Sequence, residues 1–164
     1  MKYREYQGEI DFLTGVMGRR LFLQHCQNIQ SDQRIHGHQG WFLFLDVDWF
    51  KQINDKLGHI AGDETLKKFS MFLKEQFEPY GAVGRVGGDE FAVMIEEEMS
   101  QEALEEEMKQ FFQNISGIQK EVTVSCSIGV YRFKYPKTIK ELLTKTDEIL
   151  YEAKANGRGC FVIR

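Results

Sequence analysis

The sequence has few of the features that cross-link or anchor a small protein. Of its 164 residues, only three are cysteines and two are prolines. Cys26, Cys126 and Cys160 are odd in number and form no C-x-x-C pair, which argues against both a disulfide framework and a zinc site. No apolar run approaches the ~20 residues of a membrane span, and the N-terminus carries no signal peptide. These absences predict a protein of the reducing cytoplasm.

The chain also lacks an excess of positive charge. Its 21 Lys and Arg residues are outnumbered by 25 Asp and Glu residues, which gives a net charge of −4 at pH 7. We therefore expect no nucleic-acid or membrane-surface binding driven by bulk charge. An anionic ligand would have to bind through local donors. The length and the hydrophobic fraction of 42% fit one globular domain with a single core.

The apolar pattern predicts an α+β fold with one mixed sheet of about five strands and helices on its faces. The predicted order is αβααββαβαβ. We expect helices over 19–29, 101–115 and 139–156, two helices within 49–77 interrupted at 58–62, and strands over 41–48, 82–86, 91–96, 122–133 and 160–164. Residues 1–10 are polar, with Tyr3, Tyr6 and Ile10 at near-helical spacing. They are expected to be the stub of an upstream helix.

Acidic residues end the first predicted strand. The run 41-WFLFLDVD-48 is apolar without alternation, as expected of a strand buried on both faces, and it stops at two aspartates. Asp46 and Asp48 are two residues apart, so their side chains should leave the same face of the sheet.

Two more acids, Asp89 and Glu90, lie at the tip of the predicted hairpin. If the two strands are neighbours, Asp46 and Asp89 converge at one edge of the sheet. Carboxylates this close repel unless a cation lies between them, and an all-oxygen cluster suits Mg²⁺ or Mn²⁺. Two such ions ~3.5–4 Å apart can activate an attacking hydroxyl and stabilise a phosphoryl leaving group.

Gly87 and Gly88 precede these acids and allow two interpretations. They can be plain turn residues. They can also leave the hairpin tip free of side chains, so that a nucleotide approaches it closely.

Cationic residues and a helix start follow the same strand. The first backbone N–H groups of a helix that begins at Trp49 and Phe50 form a potential anion site. Lys51 lies in that first turn, where a cation opposes the helix dipole unless a phosphate is nearby. Lys154 and Arg158 flank the end of the last helix, where simple complementation of the dipole also explains them.

Five ordered blocks of the sequence resemble the GGDEF-domain diguanylate cyclases. The blocks are 11-DFLTGVMGRR-20, 46-DVDWFKQINDKLGHIAGDETL-66, 85-RVGGDEF-91, 127-SIGV-130 and 147-DEILYEAKANGR-158. The resemblance extends over nearly the whole chain from Asp11 onward, so residues 11–164 are expected to form the domain. It implies a fold like the palm of nucleotide polymerases and nucleotidyl cyclases. It also implies condensation of two GTP molecules into cyclic di-GMP with release of two pyrophosphates.

The resemblance assigns the acids to metal binding and catalysis. Asp46, the carbonyl of Val47 and Asp89 match the residues that hold two Mg²⁺ or Mn²⁺ ions. Asp89 also matches the proton acceptor for the attacking 3′-hydroxyl, and Glu90 is a second candidate for metal or base work. Lys51 would offset charge developing at the phosphorus.

The remaining matched positions would bind GTP. The triphosphate would contact the backbone of Trp49 and Phe50 together with Lys51, Lys154 and Arg158, beside the open turn at Gly87 and Gly88. Asn54 and Asp63 match guanine-reading positions, and His59 lies in the same loop. The plainer interpretations are a surface helix residue for Asn54 and a helix-start residue for Asp63.

Two other functions remain possible at this point. One is a catalytically silent GTP-binding module that regulates a partner domain, although such modules usually lack signature acids. The other is synthesis of a mixed purine dinucleotide, which should alter the position of Asp63. For the cyclase, the resemblance further implies a transient homodimer and an upstream sensory domain. The stretch 78-EPYG-81 stands where many relatives have the R-x-x-D of an inhibitory product site, so that site is expected to be absent.

Overall fold

The structure is a computed structural model and describes residues 9–164. In that range the chain forms its elements in the predicted order. The helices are α1 (Arg19–Gln30), α2 (Phe50–Leu57), α3 (His59–Phe77), α4 (Gln101–Ile115) and α5 (Ile139–Ala155), and the strands are β1 (Gln39–Val47), β2 (Gly81–Arg85), β3 (Glu90–Ile95), β4 (Cys126–Lys134) and β5 (Phe161–Ile163). A single 3₁₀ turn, Gln33–Ile35, precedes β1.

The five strands form one sheet in the order β2-β3-β1-β4-β5. Strand β3 pairs in antiparallel orientation with β2 and β1, and β1 pairs in antiparallel orientation with β4. Strand β4 pairs with β5 in parallel. The mixed α+β sheet predicted from the sequence is therefore confirmed. Its central strand, β1, is buried along almost its whole length, which explains why this segment is apolar without alternation.

Alternate residues of β1 supply two separate cores. Trp41, Leu43 and Leu45 pack on one side of the sheet with the apolar stripes of α3 and α4. Phe42 and Phe44 pack on the other side with α1 and α5. This period-2 division places the next even-numbered side chain, Asp46, on the side of α5.

The close approach of α5 to the sheet requires a glycine on β4. A Cβ atom on Gly129 would lie 2.4 Å from the backbone nitrogen of Leu150. Because no side chain intervenes, α5 runs directly over β4 and delivers its C-terminal end to the end of β1.

Three boundaries differ from the predicted ones. The break expected over 58–62 is confined to Gly58, whose φ of 89° permits a sharp turn, and α3 begins at the next residue. Strand β4 begins at Cys126 rather than 122 because β1 ends at Val47, which pairs with Cys126. The predicted helical stub falls mainly on residues 1–8, outside the described range, whereas Ile10 forms a β-bridge with Met17.

None of the helices in residues 9–164 is long and apolar enough to cross a membrane.

Candidate active site

The end of β1 brings Asp46 into an acidic cluster. In the register of β1 and β3, Asp46 lies opposite Glu90. The ammonium group of Lys154, from the last turn of α5, pairs with Asp46 Oδ2. The other oxygen, Oδ1, is buried and has no hydrogen-bond partner within residues 9–164. A buried carboxylate oxygen without a donor is costly unless a cation or another donor completes it.

Asp89 lies on the bend between β2 and β3, directly beside Asp46. Its backbone carbonyl accepts a hydrogen bond of 3.2 Å from the Val47 N–H group, which ties the hairpin tip to the end of β1. Burial and the adjacent Asp46 carboxylate raise the pKa of Asp89 to about 7. Burial and the charge of Asp46 also raise the pKa of Glu90. Strands β1 and β3 are therefore neighbours, which is the condition under which Asp46 and Asp89 were predicted to converge.

The chemistry of this cluster fits a hard divalent cation. Asp46 and Asp89 repel each other in their charged forms, and Asp46 Oδ1 offers an unused acceptor. In the described part of the chain, no three His, Cys, Asp or Glu side chains form a ready-made metal cage. In residues 9–164 the protein itself therefore presents a carboxylate pair rather than a complete set of oxygen ligands.

Asp48 also turns toward the C-terminal end of α5, but its carboxylate is fully engaged. Its Oδ1 accepts a hydrogen bond of 2.6 Å from Ser127 Oγ. Its Oδ2 accepts hydrogen bonds of 2.7 Å from Ser125 Oγ and 2.8 Å from the Gly159 N–H group. With 4% of its surface exposed, Asp48 joins the end of β1 to β4 and to the loop after α5.

The predicted anion site lies at the start of α2. Trp49 is the N-cap residue with a left-handed backbone, φ 56°, and Phe50 is half-buried behind it. Lys51 is exposed in the first helical turn. The guanidinium carbon of Arg158 lies 4.3 Å from the centre of the Trp49 ring. The helix start and Arg158 therefore meet beside the acidic cluster.

The corner between α2 and α3 holds the predicted base-reading residues. A Cβ atom on Gly62 would lie 1.7 Å from Asn54 Oδ1, so only glycine allows the Asn54 amide to lie against α3. The exposed Asp63 follows directly, and His59 is the exposed first residue of the helix. Because α3 begins at His59, Asp63 lies beyond the first turn. The alternative role of Asp63 as a helix-start residue is therefore wrong.

The glycine pair at the hairpin tip is not required by backbone conformation. Neither Gly87 nor Gly88 has a φ in the left-handed range. A Cβ atom on Gly88 would meet nothing within 4 Å, whereas one on Gly87 would lie 2.9 Å from Glu90 Oε1. Gly88 therefore faces open space at the tip, whereas Gly87 makes room for the Glu90 side chain.

Two arginines support the hairpin from behind, and sequence reasoning assigned neither of them to the site. Arg85 donates hydrogen bonds of 2.7 and 3.0 Å to the Gly88 carbonyl and also binds the Asp11 carboxylate at 3.1 Å. Arg19 donates a hydrogen bond of 3.0 Å to the Val86 carbonyl. The sequence feature that could have indicated this role is the position of Arg85 two residues before Gly87.

Comparison with known proteins finds relatives over nearly the whole chain. The family model described as diguanylate cyclase, GGDEF domain, matches residues 9–160. The chain is 33% identical over 164 residues to diguanylate cyclase DgcS of Shewanella oneidensis, covering 98% of this chain and 55% of DgcS. It is 38% identical over 152 residues to the probable diguanylate cyclase DgcI of Escherichia coli, covering 92% of this chain and 32% of DgcI.

Among solved structures, the diguanylate cyclase SiaD of Pseudomonas aeruginosa, crystallised with its activator SiaC, superposes with a TM-score of 0.86 and 26% identity. The match covers 99% of this chain and 65% of the SiaD chain. The chain spans about half the length of DgcS and a third of DgcI, so it corresponds to one region of these relatives. From the family match over residues 9–160 and these similarities, the chain belongs to the GGDEF-domain diguanylate cyclase family.

Proposed function

We propose that this chain is an active diguanylate cyclase that condenses two GTP molecules into cyclic di-GMP and releases two pyrophosphates. The observation that carries the proposal is the carboxylate pair Asp46–Asp89, in which Asp46 Oδ1 has no hydrogen-bond partner among residues 9–164. A silent GTP-binding module is the alternative. It is disfavoured because every acid that the chemistry needs is present at the site.

The reaction needs a base at the hairpin tip. The 3′-hydroxyl oxygen of one GTP forms a bond to the α-phosphorus of the other, and the bond from that phosphorus to the bridging oxygen of pyrophosphate breaks. Asp89, at the hairpin tip beside Asp46, is the proposed acceptor of the hydroxyl proton. Glu90, opposite Asp46 in the sheet, is the second candidate.

The proposed metal site consists of the Asp46 and Asp89 carboxylates, the Val47 carbonyl and Glu90. Two Mg²⁺ or Mn²⁺ ions bound there would supply Lewis-acid stabilisation of charge on the phosphate oxygens. Lys154 places a positive charge beside Asp46 at the same site.

The proposed nucleotide site runs from the start of α2 to the α2–α3 corner. The backbone amides at Trp49 and Phe50, with Lys51, Lys154 and Arg158, would bind the triphosphate. At the corner, the Asp63 carboxylate would accept hydrogen bonds from guanine N1–H and N2–H₂, and Asn54 would meet the guanine acceptors. His59 would line the same pocket.

Catalysis requires two chains. One site holds one GTP, whereas the ring contains two phosphodiester bonds made from opposed nucleotides. Two copies must therefore face each other across a two-fold axis. We propose that residues 11–164 are the catalytic unit and that their pairing is transient, so that specific activity rises with protein concentration. We also propose that a partner domain outside this unit controls the pairing in the cytoplasm.

The direct test is incubation with GTP and Mg²⁺ followed by mass spectrometry of the products. We expect cyclic di-GMP and pyrophosphate in a ratio of one to two, and no product from an Asp46→Asn control. GTP binding without any dinucleotide, at concentrations up to those at which the protein dimerises, would instead establish the silent module.

A further inference from the structure

Two residues of the nucleotide site share an unusual backbone conformation. Trp49 has φ 56° and Arg158 has φ 66°, and no other non-glycine residue in the described range has a positive φ. For side-chain-bearing residues this conformation is strained and persists only where the surroundings hold it. Residues of this kind concentrate at ligand-binding sites.

One carboxylate clamps both strained residues together. Asp48 directly precedes Trp49 in the chain, and its Oδ2 accepts the Gly159 N–H group directly after Arg158 at 2.8 Å. The Arg158 N–H group donates to the Ala153 carbonyl at 3.2 Å, which fixes the loop to the end of α5. The two backbones are therefore held side by side by contacts that involve neither of their side chains.

The side chains then meet in a cation–π contact. The Arg158 guanidinium carbon lies 4.3 Å from the Trp49 ring centre, and its NH1 lies 4.0 Å from Asp48 Oδ1. The Trp49 side chain is not part of the core, because the residue is 57% exposed. Burial of apolar surface therefore does not explain a tryptophan at this position.

We propose that Trp49 is a positioning residue whose ring holds the Arg158 guanidinium in place for the triphosphate of a purine nucleotide. This inference rests on the proposed function, because it requires GTP to bind at the start of α2. A free arginine side chain loses rotamer entropy when it is fixed. Because stacking on the ring orders the guanidinium before the ligand binds, less rotamer entropy is lost on binding. The ring contacts the face of the guanidinium, so the N–H groups at its edge can bind phosphate.

The test is a double-mutant cycle on the affinity for a non-hydrolysable GTP analogue with Mg²⁺, measured by calorimetry. Trp49→Leu should weaken binding about two- to five-fold when Arg158 is present, which is the size of an exposed cation–π contact. It should have no effect in the Arg158→Ala background. Trp49→Phe should retain most of the affinity. Tyr151→Leu removes another exposed aromatic residue, outside this pair, and should leave the affinity unchanged.

A ligand-free measurement separates this inference from the proposed function. In NMR spectra of the free protein, the Arg158 side-chain protons should show an upfield ring-current shift that Trp49→Leu removes. If the wild-type protein does not bind the analogue, the proposed function fails. If the wild type binds but Trp49→Leu weakens binding equally with and without Arg158, or not at all, the positioning role is overturned. If the free wild-type protein shows no ring-current shift on the Arg158 side-chain protons, the positioning role is overturned as well.

Discussion

Asp46 and Asp48 are two residues apart and face the same helix end, yet their surroundings are opposite in kind. Asp48 is surrounded by donors, with two serine hydroxyls and a backbone N–H group within 2.8 Å. Asp46 has a lysine on one oxygen and, among residues 9–164, no partner on the other, and it lies beside Asp89 and opposite Glu90. The Asp48 carboxylate has its hydrogen bonds supplied by the fold, whereas the Asp46 carboxylate keeps one oxygen without a donor in the described part of the chain.

This contrast separates a structural acid from a functional one. A buried charge with its hydrogen bonds complete stabilises the local fold and has no capacity left for a ligand. A carboxylate pair with an unused oxygen costs stability in the free protein and is retained where a cation or substrate completes it. The two aspartates should therefore respond to the same substitution in different ways.

The largest expected effect is on product formation by Asp46→Asn. Loss of one charge from the proposed metal site removes several kcal/mol of transition-state stabilisation, so we expect turnover to fall at least ~10³-fold. The substitution relieves the repulsion with Asp89 but also removes the ion pair with Lys154, so the melting temperature should change little. The measurements are the initial rate of cyclic di-GMP formation and the melting temperature of the same protein. Near-wild-type turnover in this variant would refute the assignment of Asp46.

The next effect is on stability, through Asp48→Asn. In this variant an amide nitrogen, itself a donor, replaces a carboxylate oxygen that now accepts hydrogen bonds. We therefore expect a loss on the order of 2–3 kcal/mol in the free energy of unfolding. Urea titration measures it. The exposed Glu106→Gln on α4 is a control for loss of one negative charge and should change stability little. A stable Asp48→Asn protein that has lost activity would reverse the distinction drawn between the two acids.

A smaller effect concerns the pH dependence of stability without metal. The pKa of Asp89 is about 7 in the folded state against an ordinary value of 3.8. The folded state therefore binds more protons between these values, so stability is lost as pH rises from about 4 to about 7. With allowance for solvent screening the loss is on the order of 1 kcal/mol.

Asp89→Asn should flatten this dependence relative to the wild type. The comparison uses melts in EDTA from pH 4 to pH 8, and the difference between the two proteins isolates Asp89 from other titrating groups such as His25. A wild-type protein that gains stability relative to Asp89→Asn over this range would contradict the close pairing of Asp46 and Asp89.

Local patterns were enough to predict the elements and the acidic edge. The apolar run of β1, the stripes of α3 and α4 and the glycine-rich turn each report on their own neighbourhood. The distinction between Asp46 and Asp48 could not be predicted, because their partners are distant in sequence. Ser127 is 79 residues from Asp48, Gly159 is 111 residues from Asp48, and Lys154 is 108 residues from Asp46. Only the folded sheet and the path of α5 bring these groups together.

The most direct test of the proposed metal centre is Mn²⁺ binding followed by electron paramagnetic resonance, with a non-hydrolysable GTP analogue present. The wild-type protein should bind up to two Mn²⁺ ions per site. Asp46→Asn should lose this binding, whereas Asp48→Asn should retain it under conditions where it remains folded. Equal Mn²⁺ binding by the wild type and Asp46→Asn would contradict the account, because the unpartnered oxygen at the end of β1 would then have no part in holding a metal.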